Sequence, residues 1–446
     1  MSQQVLTAQP LTAARSRGLS GRLRPPADRL IAPMALMLAA VARGDTVLEG
    51  LADTPDVKAS IGSLKAMGVA IERDDGRHRI SGLGALGLLE PRSTLDFSGA
   101  ATALWLTMGL VAPYGFDSQF GGSELPSSGP TIEALRALGI DAQEQRSGHM
   151  PVTLRGPRTG VPFVHRLSTA SIEIKAALLL AALALPGVST LVEAVPTPDH
   201  PERLLAYFGA EIKSRPSTEG SRSIDITGLP GLGGQVIALA ADPDLAAFPI
   251  VAALIVPGSD LLIENVLMHP QRTGLIEVLR QMGGDIEAVD PRLSGGEEVA
   301  DLRVRHSRLT ATTVPAGRIS VSAIAALAVA GAFADGETRI GIGEAQWRSG
   351  GEMITALVEG LIANGIAARR SGEVLIVPGG GPAAKLGGDS VSVRGNGLVA
   401  MAFLVMGLAT SEAITIDDDR AIPGIYPEFR TGMQALGADF FKRWTK

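Results

Sequence analysis

The sequence predicts an α/β protein built from six repeated units, and two recurring phrases carry this prediction. The first phrase is an apolar helical run, a turn and an alternating strand, as in LAALALPGVSTLVEAV from Leu180 to Val195. Five of its six copies have a glycine in the turn, and these glycines recur about every seventy residues. They are Gly44, Gly115, Gly187, Gly258 and Gly336, and Ser411 takes this place in the sixth copy.

The second phrase is the end of an amphipathic helix that closes on glycine, and it follows each copy of the first. Glycine readily adopts the left-handed backbone conformation that commonly ends a helix. Strand-like sequence comes next, for example from Val69 to Arg73. Each unit therefore predicts alternating strands and helices. The closing glycines are Gly68, Gly139, Gly209, Gly283, Gly365 and Gly437.

Composition favours helices packed closely against sheets, divided between two cores. Hydrophobic residues make up 46% of the 446 residues but aromatic residues only 4%, so Ala, Val, Leu and Ile must build the interior. Six units are too many to share one hydrophobic core, which predicts two lobes of three units with a ligand cleft between them. We expect a lead and crossing strand over 1–24, a first lobe over 25–230 and a second lobe over 231–446. The stretch Gly228 to Gly234 predicts the hinge, and Met1 to Ser20 reads as a disordered lead.

Charge and composition exclude several classes of function. The net charge of -6 argues against general binding of nucleic acid or anionic membranes. The longest apolar runs, such as Leu398 to Ala409, are too short to span a bilayer. The absence of cysteine excludes thiolate sites, and neither histidine spacing nor a P-loop indicates a metal or nucleotide. We expect a cytoplasmic monomer without metal or cofactor, whose partner is a small molecule in the cleft.

Several stretches resemble one known family. They include DFSGAATALWLTMGLVAPYGFDS from Asp96 to Ser118, FPIVAALIVPGSD from Phe248 to Asp260, RTGLI from Arg272 to Ile276 and MAFLVMGLA from Met401 to Ala409. These phrases resemble the enolpyruvyl transferases, most closely the 5-enolpyruvylshikimate-3-phosphate (EPSP) synthase family, over about Leu19 to Asp439. The resemblance implies a two-lobed inside-out α/β prism with six βαβαββ repeats, three per lobe.

The resemblance also implies a reaction and its chemical requirements. In the family, the carboxyvinyl group of phosphoenolpyruvate is transferred to shikimate 3-phosphate, in the shikimate pathway to aromatic amino acids, without metal or cofactor. Two phosphates and two carboxylates must then be held together, which requires several arginine and lysine side chains. A carboxylate must accept the proton of the attacking hydroxyl group, and an acid must protonate the methylene carbon.

In the first lobe, most of the family's charged positions carry other residues. The resemblance places Arg29 at a signature lysine, Leu30 at a phosphate-binding serine and Met34 at an arginine. Trp105 falls on the arginine that binds phosphoenolpyruvate, and the KRP signature falls on Leu125 to Ser127.

The shikimate-phosphate motif of the family falls on Ser171 and Glu173, followed by Lys175. The serine is kept, but a glutamate replaces the family's glutamine beside the expected phosphate. Ser171 is equally typical of a helix cap, and Arg29 beside Asp28 also fits a solvated ion pair. Glu173 and Lys175 are two residues apart, so we expect them on different faces of a helix.

In the second lobe, the position of the catalytic base is Ser322 and the position of the catalytic lysine is Ser349. Glu352 is the one acid left in the lysine motif, and Leu398 stands at the arginine of the DHR motif. Asp242 is the one polar residue retained from the GDPSS motif, although it also fits a helix cap.

These replacements predict a catalytically impaired or inactive family member, and no residue is assigned a catalytic role. The remaining candidates for ligand binding are Arg29, Ser171, Glu173, Asp242 and Glu352, while Leu30, Met34, Trp105 and Leu398 would line or fill the former cleft. Such a chain could serve as an interaction or regulatory protein. The alternatives are an enzyme with a less anionic substrate in the same cleft, and an active synthase with an altered site.

Overall fold

The computed structural model describes residues 9–123, 125, 129–146, 149–157, 159–217, 220–380 and 386–442. Helices and strands alternate along them, which confirms the predicted α/β class. Within these ranges, no helix is long and apolar enough to cross a membrane. The twelve helices of the described ranges are α1 (Ile31–Val41), α2 (Pro55–Ala66), α3 (Ala101–Val111), α4 (Gly129–Arg136), α5 (Ile172–Ala182), α6 (His200–Phe208), α7 (Pro243–Ile255), α8 (Gly274–Gln281), α9 (Val321–Ala332), α10 (Glu344–Ala363), α11 (Gly397–Gly407) and α12 (Phe429–Ala435).

The strands are short, and they recur in the same order around each pair of helices. They are β1 (Leu11–Ala14), β2 (Ser20–Leu23), β3 (Arg43–Glu49), β4 (Ala70–Asp74), β5 (Arg77–Leu83), β6 (Leu95–Asp96), β7 (Asp117–Gly121), β8 (Asp141–Arg146), β9 (His149–Arg155), β10 (Val164–Leu167), β11 (Val188–Glu193), β12 (Ile212–Pro216), β13 (Arg222–Thr227), β14 (Val236–Ala238), β15 (Asp260–Leu267), β16 (Asp285–Ser294), β17 (Glu297–Arg305), β18 (Thr313–Val314), β19 (Glu337–Gly341), β20 (Arg369–Ser371), β21 (Val374–Pro378), β22 (Ser390–Val391), β23 (Ile414–Ile416) and β24 (Asp439–Phe441).

These strands form four-stranded sheets that all share one topology. In every sheet one edge strand runs parallel to its neighbour, and the other two pairings are antiparallel. Three sheets have the orders β14-β3-β5-β4, β6-β7-β9-β8 and β10-β11-β13-β12. The other three have the orders β2-β15-β17-β16, β18-β19-β21-β20 and β22-β23-β1-β24.

Each repeat contributes one helix that is apolar on nearly all sides. These six central helices are α1, α3, α5, α7, α9 and α11, and every residue of α1 and of α7 is buried. Their Ala- and Leu-rich sequence lets the helix backbones approach the sheets and one another closely. The second helix of each repeat is amphipathic and ends where the sequence predicts: the six closing glycines have φ between 82° and 105°.

The chain consists of two compact units of three sheets each, and residues contact one another mainly within a unit. The amino-terminal unit contains Ala27–Ala240 and Leu293–Glu297. The carboxyl-terminal unit contains the described residues up to Pro26, Ala241–Arg292 and the described residues from Glu298 onward. The sequence predicted boundaries after residues 24 and 230, whereas the units divide after Pro26 and after Ala240.

The expectation of a disordered lead is wrong for the described residues before Ser20. Residues Leu11–Ala14 form β1, which lies between β23 and β24 and pairs antiparallel with both. Leu11 and Ala13 are fully buried against this unit's core. The strand completes the sixth sheet, so its stabilising partners come from the far end of the chain.

Candidate active site

The sequence-predicted site residues are distributed over both units, and most of them lie near the starts of central helices. Arg29, Leu30, Met34, Trp105, Ser171 and Glu173 belong to the amino-terminal unit, and Asp242, Ser322, Ser349, Glu352 and Leu398 belong to the carboxyl-terminal unit. Of the residues assigned to the KRP signature, Pro126 and Ser127 lie outside the described residues.

At the start of every central helix, a side-chain oxygen of this chain accepts a hydrogen bond from a first-turn backbone N–H. Helix starts are favourable sites for anions because their N–H groups are free and the helix dipole is positive there. Here that capacity is partly used by the protein itself, and three of the six acceptors are carboxylates. The acceptors, in order from α1 to α11, are Asp28, Asp56, Ser171, Asp242, Ser320 and Asn396.

The start of α5 combines the retained serine with the new glutamate. Ser171 Oγ accepts a hydrogen bond from the N–H of Ile174 at 3.2 Å, so the predicted helix cap is present. The same hydroxyl group donates to Glu173 Oε2 at 2.9 Å. The oxygen that would contact a phosphate therefore has a carboxylate as its hydrogen-bond acceptor. Lys175 is fully buried, and its Nζ donates to the carbonyl oxygen of Pro198 and to Glu202 Oε1.

The start of α1 retains one exposed cation, Arg29. The carboxylate of Asp28 accepts from the N–H groups of Leu30 and Ile31 at 2.9 and 3.1 Å. Nearby, Asp56 Oδ1 accepts from the N–H of Ala103 at the start of α3, at 2.8 Å. Burial raises the pKa of Asp56, while its backbone hydrogen bonds and the positive charge of Arg29 oppose the rise. The positive charge of Arg29 therefore favours the ionised form of Asp56, a carboxylate of the same unit.

Three neutral replacements in this unit are part of the packed interior. Leu30, Met34 and Trp105 are 6%, 1% and 8% exposed, on α1 and α3. At Met34 and Trp105 the resemblance would place arginine, whose charge needs solvent or an ionic partner. These three side chains therefore lie in the apolar interior of the unit.

In the carboxyl-terminal unit, Asp242 caps α7 and also pairs with an arginine. Its Oδ1 accepts from the N–H of Asp244 at 2.9 Å and from Arg272 Nη2 at 2.9 Å. Arg272 lies 3.5 Å from Asp244 Oδ2 as well. The arginine is therefore held between two carboxylates. Sequence reasoning did not single out Arg272, although it belongs to the phrase RTGLI, which is one of the stretches that resemble the family.

Ser322, at the family's base position, lies in the first turn of α9, half-buried. A pocket of about 160 Å³ opens beside this turn and includes Ser320 and Ala323 in its lining. Arg272 and Arg318 also line it, and Arg318 forms an ion pair with Glu277. The two cations of this pocket both have carboxylate partners, and a serine stands where the family has its base.

The remaining three candidates of this unit lie on α10 and α11. Ser349 and Glu352 are exposed on α10, and Ser349 Oγ donates back to the carbonyl oxygen of Ala345 at 3.1 Å. Leu398 is half-buried in the first turn of α11, and its N–H donates to Asn396 Oδ1 at 3.0 Å. None of these positions presents a cation.

A buried ionic cluster in the amino-terminal unit was not predicted from the sequence. We call it the Lys175 cluster, and it contains Lys175, Glu193, Glu202 and Arg222. Lys175 Nζ lies 3.0 Å from Glu202 Oε1 and 3.4 Å from Glu193 Oε1, and it donates to the carbonyl oxygen of Pro198 at 2.7 Å. Arg222 Nη1 is 3.9 Å from both carboxylates. Burial raises the pKa of Glu202, against the lowering effect of Lys175.

Groups of side chains that could hold a metal ion do not occur in the described part of the chain. Each unit has capped helix starts with a few hydroxyl groups, and the carboxyl-terminal unit also has two carboxylate-paired arginines. Such a set can bind neutral or weakly charged polar groups through hydrogen bonds. It offers a polyanion little uncompensated positive charge.

The fold is shared with known enolpyruvyl transferases. The structure is similar to that of the enolpyruvyl transferase NikO from Streptomyces tendae, with a TM-score of 0.74 over 98% of this chain and 100% of that chain, at 18% identity. At this identity the similarity shows the fold alone. The α/β fold with its four-stranded sheets is thus shared with this enolpyruvyl transferase.

Closer similarities define the family. A family profile described as EPSP synthase (3-phosphoshikimate 1-carboxyvinyltransferase) matches residues 14–433. The 3-phosphoshikimate 1-carboxyvinyltransferase of Chelativorans sp. (strain BNC1) is 44% identical over 445 residues, 98% of this chain and 99% of that protein. EPSP synthase from Acinetobacter baumannii has a TM-score of 0.88 and 28% identity over 98% of this chain and 100% of that chain. The chain belongs to the EPSP synthase family.

Proposed function

We propose that this chain is a family member in which carboxyvinyl transfer from phosphoenolpyruvate to shikimate 3-phosphate is lost or strongly impaired. It would then act by binding a ligand or a protein partner. The observation that carries the proposal is the hydrogen bond between Ser171 Oγ and Glu173 Oε2, at the position where the family resemblance expects a phosphate.

The physical argument is like-charge repulsion. Two unit charges 4 Å apart interact with about 4 kcal/mol at an effective dielectric constant of about 20. A phosphate next to the carboxylate of Glu173 would meet repulsion of this order, whereas the family's amide can donate a hydrogen bond. Because 1.4 kcal/mol is a factor of ten in affinity, the expected loss is about a thousandfold.

The proton-transfer groups lead to the same expectation. A serine hydroxyl at Ser322 is a far weaker base than a carboxylate, and a hydroxyl at Ser349 cannot replace an ammonium group as acid or as cation. Positioned acid–base groups contribute roughly 10²- to 10⁴-fold each to enzymatic rates. Loss of both would leave little turnover even with both substrates bound.

Two alternatives have specific support. An active synthase with an altered site is favoured by 44% identity along nearly the whole chain to a curated 3-phosphoshikimate 1-carboxyvinyltransferase. An enzyme for a less anionic substrate is favoured by the pocket beside Ser322, whose arginines already have carboxylate partners. In that second alternative, Asp242, Glu173 or Glu352 would supply the acid.

Binding and turnover assays with the purified chain separate these functions. We expect no heat of binding for shikimate 3-phosphate at micromolar concentration, and no release of phosphate when phosphoenolpyruvate is added. The Chelativorans relative, assayed in parallel, is the positive control. Turnover within tenfold of that relative would overturn the proposal in favour of an active synthase. Stabilisation by a neutral cyclitol alone would favour the less anionic substrate.

A reversion isolates the effect of Glu173. Glu173→Gln restores the family's amide, and we expect it to raise the affinity for shikimate 3-phosphate at least tenfold. Glu133→Gln is the matched control, because Glu133 is an exposed glutamate on α4 of the same unit and lies outside the site. If the two variants bind shikimate 3-phosphate equally, Glu173 is not the obstacle. We also propose a cytoplasmic monomer, which cell fractionation and sedimentation would test.

A further inference from the structure

A second pocket, of about 360 Å³, opens in the carboxyl-terminal unit at the other end of the central helices. Its lining includes Ile255 at the end of α7, Phe333 just after α9, and Ala409 and Thr410 after α11. Because α7 has thirteen residues, about 20 Å of helix separates this end from the cap at Asp242. The pocket is therefore distinct from the candidate site at the helix starts.

The floor of this pocket is apolar. Ile255, Leu309 and Leu386 line it and are almost completely buried, and the half-buried Phe333 adds a ring. A volume of this size is at the lower end of the roughly 300–1,000 Å³ of small-molecule sites. It suits a molecule of about one ring with a short side chain.

The rim of the pocket is basic. Arg15, His306 and Arg308 line it together with Ser307. Arg308 Nε donates to Asp335 Oδ2 at 2.7 Å, and His306 Nδ1 lies 2.8 Å from the carbonyl oxygen of Leu254. Arg15 is exposed and, among the described residues, forms no ion pair and no side-chain hydrogen bond. The rim thus offers one uncommitted guanidinium group beside two other basic side chains.

Comparison of the repeats shows that Arg15 and His306 occupy positions at which two other repeats have glycine. In five repeats, the N–H of one residue donates to a carbonyl oxygen at the end of the central helix; these residues are Ser16, Gly84, Leu229, Ser307 and Gly380. The residues just before them are Arg15, Leu83, Gly228, His306 and Gly379. A Cβ atom at Gly228 or Gly379 would lie within 2 Å of a backbone oxygen. Two repeats of the carboxyl-terminal unit therefore carry a basic side chain where two other repeats have no room for any.

We propose that this pocket binds a small aryl carboxylate, with the ring on the apolar floor and the carboxylate at the rim against Arg15. Arginine binds a carboxylate through two parallel hydrogen bonds, which is the strongest contact this rim can make. The apolar floor excludes inorganic anions as preferred ligands, because they would leave the buried apolar surface without a contact. The basic rim favours an acid over a neutral ring.

The experiment uses the full-length protein and three matched probes in titration calorimetry. They are 3-phenylpropionate, the uncharged 3-phenylpropanol and the ringless propionate. We expect 3-phenylpropionate to bind at least tenfold more tightly than either of the others. Equal affinities for the acid and the alcohol, or no binding of the acid at millimolar concentration, would overturn the proposal.

Two variants locate the site. Arg15→Gln removes the free guanidinium group and should weaken binding of 3-phenylpropionate about tenfold, since hydrogen bonds to charged groups contribute this much. Arg17→Gln is the matched control, because Arg17 is an exposed arginine two residues away that does not line the pocket. Ala409→Leu fills the pocket and should abolish binding. Unchanged affinity in both Arg15→Gln and Ala409→Leu would refute the assigned site, and thermal melting of each variant verifies folding.

Discussion

Two groups of polar residues in the amino-terminal unit have opposite surroundings. In the Lys175 cluster, Lys175, Glu193 and Glu202 are almost completely buried, and Lys175 lies within ion-pair distance of both glutamates. At the helix starts, Arg29 is exposed and Ser171 and Glu173 are half-buried. The ionic partners of the Lys175 cluster lie within the fold. In the family, the partners of the residues at the helix starts would belong to the ligand.

This difference indicates where substitutions can accumulate without loss of the fold. Charges that compensate one another inside a unit are costly to remove singly, because the remaining charge stays buried. Charges that serve an external anion can be replaced by leucine, methionine or tryptophan without leaving a buried partner unpaired. The carboxylate of Glu173 fits this view, since Ser171 Oγ already donates to it.

The largest effect is expected for Lys175→Met, which would break the buried group. The substitution leaves Glu193 and Glu202 with Arg222 as the remaining cation of the cluster, at 3.9 Å. Loss of one partner of a buried ion pair costs about 3–5 kcal/mol. We expect a decrease of this size in the free energy of unfolding, measured by urea denaturation at pH 7.

Lys213→Met is the matched control, because Lys213 pairs with Glu211 at 3.3 Å on the surface. An exposed pair of this kind contributes at most about 1 kcal/mol.

The pH dependence of the free energy of unfolding is a second measurement of the same comparison. Burial raises the pKa of Glu202, so the folded state binds protons more tightly than the unfolded state and stability falls as pH rises above about 4.5. Lys175→Met should steepen this fall; equal losses in the two lysine variants would contradict the comparison.

The next largest effect is expected for Met34→Arg, which returns the family's arginine to a position that is now apolar. Met34 is 1% exposed, on a helix whose residues are all buried. An arginine there would have to bury an unpaired charge or displace α1, at a cost of roughly 3 kcal/mol. Met34→Leu preserves volume and should cost less than about 1.5 kcal/mol. A fully stable Met34→Arg protein that binds phosphate would mean that this position still faces a ligand.

The same contrast explains which features the sequence could predict. The α/β class and the closing glycines follow from local periodicity, and Ser171 and Asp242 were identifiable as helix caps because capping depends on the next three residues. The Lys175 cluster depends on β11 and α6 meeting α5, so its two glutamates are near the lysine in space but not in a local pattern. Its one visible sign is a lysine in a helix that is otherwise apolar from Ile174 onward.

Two further features of the structure also depend on contacts between residues that are far apart in the sequence. Strand β1 has four residues, too few for a periodic signal, and Leu11 pairs with Ile416 about four hundred residues away. The glycine-rich stretch predicted as a hinge contains Gly234, whose N–H donates to the carbonyl oxygen of Arg43 at 2.9 Å. A Cβ atom at Gly234 would lie 2.2 Å from the carbonyl oxygen of Asp45. Glycine there permits a close backbone approach to β3.

A smaller effect is expected at the start of α7, where Asp242 serves both as a cap and as a partner of Arg272. Asp242→Ala removes both contacts. Loss of a helix cap costs about 0.5–2 kcal/mol, and we expect a decrease near the upper end of this range. Asp242→Asn keeps an acceptor for the cap but removes the charge, so it should recover about half of the loss. If Asp242→Asn is as unstable as Asp242→Ala, the ion pair rather than the cap carries the stability.

The smallest effect is expected for an ion pair of the carboxyl-terminal unit that is accessible to solvent. Hydrogen bonds from Arg420 lower the pKa of Asp418 to about 2, from an ordinary value of 3.8. The unfolded state therefore binds protons more tightly than the folded state between these pH values, and this contribution to stability is lost as pH falls from about 4 to about 2. Since the Arg420 side chain is 38% exposed, solvent screens the ion pair and its contribution to stability at pH 7 is small.

Asp418→Asn tests this contribution by thermal melting between pH 2 and pH 7. We expect the melting temperatures of the two proteins to differ most at neutral pH and to approach each other near pH 2, where the carboxyl group of Asp418 is protonated in the unfolded state and about half protonated in the folded state. Arg420→Gln removes the cause of the lowered pKa and should reduce the pH dependence in the same way. A difference that stays constant down to pH 2 would show that Asp418 stabilises the fold by its shape and hydrogen bonds rather than by its charge. The contribution of the Asp418–Arg420 pair would then come from its hydrogen-bond geometry, as in the Lys175 cluster. The difference between exposed and buried charges would be smaller than the structure indicates.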